Sequence, residues 1–358
     1  DPMTMINILD LEKDELKKEI ENLGEATFRT NQVWRWIYQG AESFDEMTDL
    51  PKAFREKLKE RFYLGGVKIT KTLVSEKDGT RKYLFATQDG KVVEGVLMKY
   101  SYGNSVCLST QIGCRMGCRF CASAGLGIDR SLSAGEMMAE VLAIRRDIGE
   151  RISHVVLMGI GEPFDNYDNV MRFLRRLNSP DTLEISYRRM TVSTCGLVPE
   201  ILRFSGEELP INLSVSLHAP NDAIRTRIMP IAKRYPFDKV LSSCHIYTQK
   251  TGRRITFEYT LMQGINDADE NARELGEKLS GLLCHVNLIP VNPVQGKGFA
   301  KSARERVEVF KGILEKHGIP VTIRRELGSD ISAACGQLRK NTLENDGMVD
   351  NFEIRCDQ

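Results

Sequence analysis

The sequence contains no long hydrophobic run, and its charges almost cancel. No uninterrupted apolar stretch reaches the roughly eighteen residues that a membrane-spanning helix requires. The N-terminal region also lacks the basic-then-apolar pattern of a secretion signal, so we expect a cytoplasmic protein that does not contact a membrane. The formal net charge of the 358 residues is only +1, so composition by itself does not demand a nucleic-acid partner.

The densest group of cysteines is not followed by a further pair of candidate metal ligands. Cys114, Cys118 and Cys121 have the spacing Cys-x3-Cys-x2-Cys, and neither a Cys-x2-Cys nor a His-x3-His pair follows within sixty residues. A structural zinc site uses four ligands, commonly in two close pairs. The nine cysteines are odd in number, which favours reduced thiols that act as ligands or reagents over structural disulfides.

The sequence does contain clear periodicity, and the period changes along the chain. Residues 1–64 contain three segments that are apolar at helical spacing, which predicts a small N-terminal helical accessory domain. Residues 65–106 contain short alternating runs with Asp-Gly pairs at 78–79 and 89–90, which predict a β extension built from hairpins. With 41% hydrophobic residues, the chain can bury a large core.

The third part of the chain, residues 107–341, alternates strand-like and helix-like segments and is followed by a tail, residues 342–358. Alternation of this kind predicts an α/β fold whose parallel sheet curves into a partial or complete barrel, with ligands at the carboxyl ends of the strands. A last strand candidate, PVTIRREL, follows the helix candidate ARERVEVFKGILEKHG. The six earlier strand candidates are SVCLST, HVVLMG, RMTVST, INLSVSLH, RITFEYTL and HVNLIPV.

Polar groups and glycines cluster where the predicted strands end. The cysteine triplet follows the first strand, and GIGEP, which contains Gly161 and Glu162, follows the second. Because the carboxyl ends of parallel strands share one rim of a barrel, we expect these groups to surround a ligand. The other candidates on this rim are Ser193, Thr194, Ser216, Leu217, His218, Asn287 and Asn292.

The triplet spacing resembles that of the radical S-adenosylmethionine (SAM) enzymes. In that superfamily three thiolates hold three irons of one 4Fe-4S cluster, and the open fourth iron binds the amino acid part of SAM. The resemblance implies that Cys114, Cys118 and Cys121 are the cluster ligands. It implies that Gly161 and Glu162 receive the SAM amino group. It assigns the ribose, carboxylate and adenine of SAM to Ser193, Ser216, Leu217, His218 and Asn292.

Six segments together resemble the RlmN/Cfr family of radical SAM adenine methyltransferases. Membership implies a partial (β/α)6 barrel, an accessory domain that contacts RNA, and methylation of carbon-2 of adenine 2503 in 23S rRNA, in some members also of adenine 37 in tRNA. Carbon-2 is electron-poor and cannot displace the SAM methyl as a nucleophile, so the reaction needs a radical. The resemblance extends to about Asn341, and its segments are CLSTQIGCRMGCRFCASAGLG, GIGEPFDN, VSTCG, SLHAPND, NLIPVNP and DISAACGQLR.

The same resemblance implies roles for three residues outside the triplet. Cys335 matches a cysteine that is methylated by a first SAM, and the radical from a second SAM takes a hydrogen from that methyl. Cys107 matches the cysteine that attacks the Cys335 sulfur and frees the product as a disulfide forms. Glu94 matches the acidic residue that removes the ring proton. Without the resemblance, both cysteines fit small buried hydrophobes, and Glu94 fits a solvent-facing strand position.

The implied partners are 23S rRNA, tRNA and a reductant such as flavodoxin or ferredoxin, with the enzyme acting as a monomer. Two alternatives stay open. A Cfr-like enzyme would methylate carbon-8 of the same rRNA adenine, although GEPFDNYDN is closer to the RlmN pattern. A protein of another class would bind RNA without catalysis and hold zinc through the triplet and one distant cysteine.

Basic residues and tryptophans give weaker signals. Arg188-Arg189, Arg225 and Arg253-Arg254 fit solvated faces as well as phosphate contacts. Trp34 and Trp36 fit a hydrophobic core better than a platform for stacked bases. We assign no chemistry to four further cysteines, which are Cys195, Cys244, Cys284 and Cys356.

Overall fold

A computed structural model describes residues 5–125, 127–334 and 337–338 of the chain. Cys335 and Cys356 lie outside the described residues. The described strands form one ten-stranded sheet and two small two-stranded sheets. Within the described residues, no helix combines the length and the apolar character that a membrane crossing demands.

The N-terminal region is helical, as its periodicity predicted. Its first and last residues pair in a short parallel ribbon, which closes the unit. Its second helix ends at Gly40, whose φ of 97° is a left-handed conformation that glycine adopts without strain. Trp34 is buried in the core, as expected. The elements are β1 (Ile6–Asn7), α1 (Lys13–Asn22), α2 (Arg29–Gln39), α3 (Lys52–Arg61) and β2 (Phe62–Tyr63).

The predicted β extension is an antiparallel meander of three strands, β3 (Val67–Val74), β4 (Arg81–Thr87) and β5 (Val92–Tyr100). Both Asp-Gly pairs lie in the turns between these strands. Gly79 and Gly90 each have a φ of 74°, which explains why glycine stands at both turns. The meander continues directly into the main sheet, because β5 pairs with β6 (Gly103–Cys107) in antiparallel register.

Seven parallel strands in chain order form the rest of the main sheet, and six β/α units connect them. The sheet has two ends, β3 and β14, so the barrel of the described residues is partial, not closed. Between β6 and the next parallel strand lies a small antiparallel ribbon, β7 (Gln111–Gly113) with β8 (Ile128–Ser131). The strands after β8 are β9 (Ile152–Leu157), β10 (Met190–Thr194), β11 (Asn212–Ser216), β12 (Ile255–Leu261), β13 (Cys284–Pro290) and β14 (Val321–Ile323).

Helices cover the outer face of the parallel strands and bury the main hydrophobic core against them. The first of these helices begins with a capping box between Ser133 and Glu136 and ends at Gly149, which has a φ of 64°. The helices are α4 (Ala134–Ile148), α5 (Tyr167–Asn178), α6 (Val198–Ser205), α7 (Asp222–Ile228), α8 (Phe237–Thr251), α9 (Asp269–Leu279) and α10 (Arg304–Lys316).

The N-terminal unit is fixed to α4 and α5. The backbone N–H of Gly135 in α4 donates to the Asp10 carboxylate at 2.8 Å, and an added Cβ on Gly135 would stand only 2.5 Å from that oxygen. Arg176 in α5 is buried and lies 2.6 Å from the Glu12 carboxylate. A buried arginine that reaches a carboxylate on another unit specifies one docking geometry, because an unpaired charge there would be costly.

Candidate active site

A cavity opens at the carboxyl ends of the parallel strands, on the predicted rim. It encloses about 1110 Å³ when its open mouth is included. Leu217 does not line it, because its side chain is fully buried in the hydrophobic core. The predicted residues that do line the cavity are Cys114, Cys118, Cys121, Gly161, Glu162, Ser193, Thr194, Ser216, His218 and Asn292.

The loop that carries the triplet is held closed by backbone contacts. The Cys114 N–H donates to the Gly127 carbonyl at 2.9 Å, across the β7–β8 ribbon. Gly113 has a φ of 84°, and a Cβ there would stand 2.1 Å from the same Gly127 oxygen, so only glycine fits. The Cys121 N–H donates to the Cys118 carbonyl at 3.0 Å, which turns the second half of the loop back toward the first.

The environment of the triplet disfavours bare thiolates. Burial raises the pKa of Cys114 to about 12 and raises the pKa values of Cys118 and Cys121 as well. The neighbouring thiols add repulsion at Cys118. These sulfurs therefore become thiolates only when a cationic metal compensates their charge. Among the described residues, no three His, Cys, Asp or Glu side chains could hold one metal ion together.

The GIGEP loop lies against the backbone that follows β6, and glycine makes this approach possible. A Cβ on Gly159 would stand 2.6 Å from the Leu108 carbonyl carbon and oxygen. The Ile160 N–H donates to the Ser109 hydroxyl at 3.0 Å, and the Glu162 N–H donates to the Gln111 side-chain oxygen at 2.9 Å. The GIGEP loop and the start of the triplet loop are therefore positioned as one unit.

Glu162 is buried, 3% exposed, and its carboxylate accepts two backbone N–H groups. Phe164 donates at 3.1 Å and Cys195, at the end of β10, donates at 2.8 Å. Burial raises the pKa of Glu162, and these N–H bonds oppose the increase. A carboxylate has about four acceptor positions, so Glu162 retains capacity for an ammonium group in the cavity.

His218 is held as a neutral ring with a defined tautomer. Its Nδ1 accepts the Thr260 N–H at 2.8 Å, so the proton of the neutral ring is on Nε2. Burial lowers the pKa of His218 to about 3. Its φ of 57° is unusual for a residue with a side chain, and Asn266 stabilises this conformation by donating to the His218 carbonyl at 2.8 Å. The Phe120 ring packs edge-on at 4.8 Å.

Arg225 is not a phosphate-binding residue, because it is fully buried and bonded to the strand ends. Its guanidinium donates to the carbonyls of Cys195 at 2.7 Å and Leu217 at 3.1 Å. It also donates to the Ser216 carbonyl at 3.2 Å. The five donors of an arginine suit this task, which fixes the ends of β10 and β11 beside the cavity.

Two charged residues in the cavity wall were missed from the sequence. Glu258, on β12, accepts hydrogen bonds from Asn287 at 3.0 Å and from Arg324 at 3.2 Å. Burial raises the pKa of Glu258, and the Arg324 charge opposes the increase. A glutamate inside the otherwise apolar strand RITFEYTL was the available signal, since a buried charge requires a partner. Asn287, expected on the rim, does not line the first cavity but donates to Glu258 in its wall.

A second cavity of about 940 Å³ adjoins the first and contains Cys107 in its wall. The two cavities share Met158, Ile289, Asn292, Arg324 and Leu338. Ala333 and Ala334, which directly precede Cys335 in the sequence, also line this second cavity.

Glu94 is fully buried, so the solvent-facing interpretation of this residue is wrong. It lines neither of these two cavities. Its Oε2 lies 3.1 Å from the Lys82 ammonium, which is also buried. The Glu94 carbonyl accepts the Ser109 hydroxyl at 2.6 Å, which links β5 to the start of the triplet loop.

Comparison with known proteins identifies the class of enzyme. Residues 108–276 match the Radical SAM superfamily, and residues 6–64 match the family described as ribosomal RNA large subunit methyltransferase N-terminal domain. A crystal structure of a radical SAM methyltransferase from Sphaerobacter thermophilus superimposes with a TM-score of 0.90 at 45% identity, covering 93% of this chain and 99% of that one. The fold and the site therefore define a radical SAM enzyme, a class that uses a 4Fe-4S cluster and SAM.

Two curated relatives identify the family. "Probable dual-specificity RNA methyltransferase RlmN" of Alkaliphilus oremlandii is 51% identical over 343 residues, which cover 96% of this chain and 100% of the relative. The protein of the same name from Desulforamulus reducens is 53% identical over 336 residues, which cover 94% and 96%. This chain belongs to the RlmN family of radical SAM RNA methyltransferases.

Proposed function

We propose that this protein methylates carbon-2 of adenine 2503 in 23S rRNA and of adenine 37 in tRNA, through an S-methylated Cys335. The proposal rests on the arrangement of two adjoining cavities. Cys107 and the residues that lead to Cys335 lie in the walls of one cavity, and that cavity adjoins the cavity lined by the cysteine triplet. The names of the relatives, which specify a dual-specificity RNA methyltransferase, support both substrates.

The triplet fits a 4Fe-4S cluster by its donor set and its electrostatics. Cys114, Cys118 and Cys121 would each bind one iron, and the cationic irons would compensate the burial that raises the thiol pKa values. When bound, the cluster supplies the electron for radical formation from SAM. Gly161 and Glu162 would orient the SAM amino group, with Ser193, Ser216, His218 and Asn292 around the rest of the molecule.

Three residues of this chain have separate roles in the methyl transfer. Cys335 carries the methyl that one SAM provides, and a second SAM is used to activate it. Glu94 accepts the proton that the adenine carbon loses. The Cys107 thiolate attacks the Cys335 sulfur, so the bond from that sulfur to the transferred carbon breaks as the disulfide forms. The carbon leaves with the electron pair of that bond and takes up a proton to become the methyl group, and the one electron left over from the radical addition would return to the one-electron carrier that serves the site. The pairing of Val96 with Cys107 across β5 and β6 supports these roles, because it puts Cys107 and Glu94 on one face of the sheet.

We further propose that the enzyme acts as a monomer. It receives its electron from a one-electron donor such as flavodoxin or ferredoxin. The deciding experiment expresses the protein in a bacterium without its own adenine-2503 methyltransferase and analyses digested 23S rRNA and tRNA by mass spectrometry. We expect 2-methyladenosine in both RNAs. Exclusive 8-methyladenosine would overturn the carbon-2 assignment, and a colourless protein with zinc and no iron would overturn the enzymatic function.

A further inference from the structure

A buried lysine connects Glu94 with the segment that precedes Cys335. The Lys82 Nζ lies 3.1 Å from Glu94 Oε2 and donates to the Ser332 carbonyl at 3.3 Å. The side chains of Lys82 and Glu94 are 3% and 0% exposed. Few lysines are buried to this degree, and such a residue requires a partner that compensates its charge.

The strand register puts Lys82 on the same face of the sheet as Cys107. Lys82 on β4 lies opposite Val96 on β5, and Val96 lies opposite Cys107 on β6. Residues directly opposite each other in antiparallel strands project to the same side, and so do residues two positions apart on one strand. Lys82, Glu94 and Cys107 therefore share one face, although they come from three strands.

The hairpin that contains Lys82 also holds residues 328–332 in place. The Gly328 N–H donates to the Asp78 carboxylate at 2.9 Å, and the Ser75 hydroxyl donates to the Asp330 carboxylate at 2.7 Å. Both Ser75 and Asp78 lie in the turn between β3 and β4, just before Lys82. Gly328 and Asp330 therefore fix the segment to the turn, and Ser332 fixes it to Lys82 on β4.

Further along, the segment packs against the same face of the sheet. Ala333 and Leu338 form a small hydrophobic cluster with Val96 and Ile160, and Cys107 packs against it. This cluster is separate from the main core. The position of the segment therefore depends on a few apolar contacts together with the polar contacts of the hairpin.

We propose that Lys82 is a positioning residue for methyl transfer. It holds the Glu94 carboxylate in one orientation, and it ties that carboxylate to the segment that precedes Cys335. This inference rests on the proposed function, in which Glu94 takes the proton from the adenine carbon. In that step the C–H bond breaks, the proton passes to a Glu94 oxygen, and the electron pair of the bond returns to the ring. Lys82 acts only through Glu94 and Ser332.

The test compares Lys82→Met, Lys82→Arg and Glu94→Gln with a matched control, Lys99→Met. Lys99 lies on the neighbouring strand β5, and its side chain is 42% exposed and pairs with Glu150 at 3.2 Å. Three quantities are measured for each variant: methyladenosine formed in cells, covalent protein–RNA adduct on denaturing gels, and amide hydrogen exchange of residues 328–334 in the protein without cofactors.

We expect Lys82→Met to lower methylation about 100-fold and to accumulate the covalent adduct, as Glu94→Gln does, because the ring proton is not removed. Residues 328–334 should exchange faster in Lys82→Met, since Ser332 loses its donor. Lys82→Arg keeps the charge and should recover most of the methylation. Lys99→Met should equal the unmodified protein in all three measurements.

Two results would overturn the role of Lys82 alone. One is a Lys82→Met enzyme that methylates normally. The other is a Lys82→Met enzyme that loses methylation without the adduct while Glu94→Gln accumulates it, which would indicate a general structural defect. A Glu94→Gln enzyme with normal turnover would instead overturn the role of Glu94 in the proposed function, and the inference would be lost with it.

Discussion

Gly161 lies in direct contact with Gln111, so closely that no side chain fits between them. A Cβ on Gly161 would stand 2.7 Å from the Gln111 Cβ and 2.9 Å from the Gln111 backbone nitrogen. Gly161 also has a φ of 105°, which side-chain-bearing residues rarely adopt. The contact joins the GIGEP loop to the start of the triplet loop, and it therefore sets the distance between two walls of the first cavity.

Gly161→Ala should destabilise the protein by about 2–4 kcal/mol, because backbone strain and a steric clash add together. SAM affinity should fall as well, since the cavity wall must shift. Gly149→Ala is the control, because Gly149 has a φ of 64° but open space around it. That change should cost about 1–2 kcal/mol and leave SAM binding intact. Urea unfolding and equilibrium dialysis with SAM measure both effects, and equal SAM affinity in the two variants would contradict this account of Gly161.

Cys118→Ala should abolish cluster assembly and all methylation, because two thiolates cannot hold a cubane against solvent. Iron and sulfide analysis of anaerobically purified protein measures the first effect. The control is Cys244→Ala, which removes a buried cysteine outside the cavity. It should retain iron and lose only packing energy, about 1 kcal/mol. A brown and active Cys118→Ala enzyme would remove this residue from the ligand set.

Glu162→Gln should weaken SAM binding about 10–100-fold while iron content stays normal, because a charge-assisted hydrogen bond to the SAM ammonium is lost. The amide group also cannot accept both N–H bonds that the carboxylate receives from Phe164 and Cys195. Calorimetric titration of the iron-loaded variant with SAM gives the affinity. Unchanged affinity would show that the SAM amino group binds elsewhere.

Cys335→Ala and Cys107→Ala should fail in different ways. Cys335→Ala loses the atom that carries the methyl, so it should bind SAM and transfer nothing to RNA. Cys107→Ala should still methylate Cys335 and add the carbon to adenine, and then stall as a covalent protein–RNA adduct. Denaturing gels with and without ribonuclease reveal the adduct. Cys107→Ala protein free of RNA would remove Cys107 from the mechanism.

Glu140→Gln should make the protein more stable, and increasingly so as the pH rises. Glu140 is fully buried, and neither of its carboxylate oxygens makes a well-formed hydrogen bond among the described residues. Burial raises its pKa in the folded state well above its ordinary value, the Glu136 charge adds to the increase, and the nearby backbone N–H of Ser109 opposes it. The stability that Glu140 contributes is thus fully present below the unfolded-state pKa, about 4.3, and is lost as the pH rises toward the folded-state value.

Chemical denaturation at a series of pH values between 5 and 8 measures this effect. The difference in the free energy of unfolding between Glu140→Gln and the unmodified protein should grow with pH. Glu270→Gln is the control, because the Glu270 side chain is 79% exposed, and its difference should stay constant. A constant difference for Glu140→Gln would mean that Glu140 is already ionised in the folded state.

The sequence by itself determined the order of the helices and strands and the edge of the sheet that carries the candidate active site. Helical and strand periodicity are local properties, so the three N-terminal helices, the Asp-Gly hairpins and the six β/α units could be predicted from short windows. Parallel strands necessarily share their carboxyl edge, so the triplet and GIGEP were expected on one rim, and both line the first cavity. The chemical assignment of these motifs came from their resemblance to a family.

Only the tertiary structure decided which charged residues are buried and what they face. Lys82 and Glu94 lie on a locally paired hairpin, but their face is covered by a segment some 250 residues later in the sequence, which local sequence does not reveal. Glu258 is buried on a strand whose neighbour, β11, lies about 40 residues earlier. Leu217 follows a polar strand end, yet its side chain enters the core because adjacent residues project to opposite sides of the sheet. The register of the paired strands sets the side-chain directions, and a shift of one residue would reverse them.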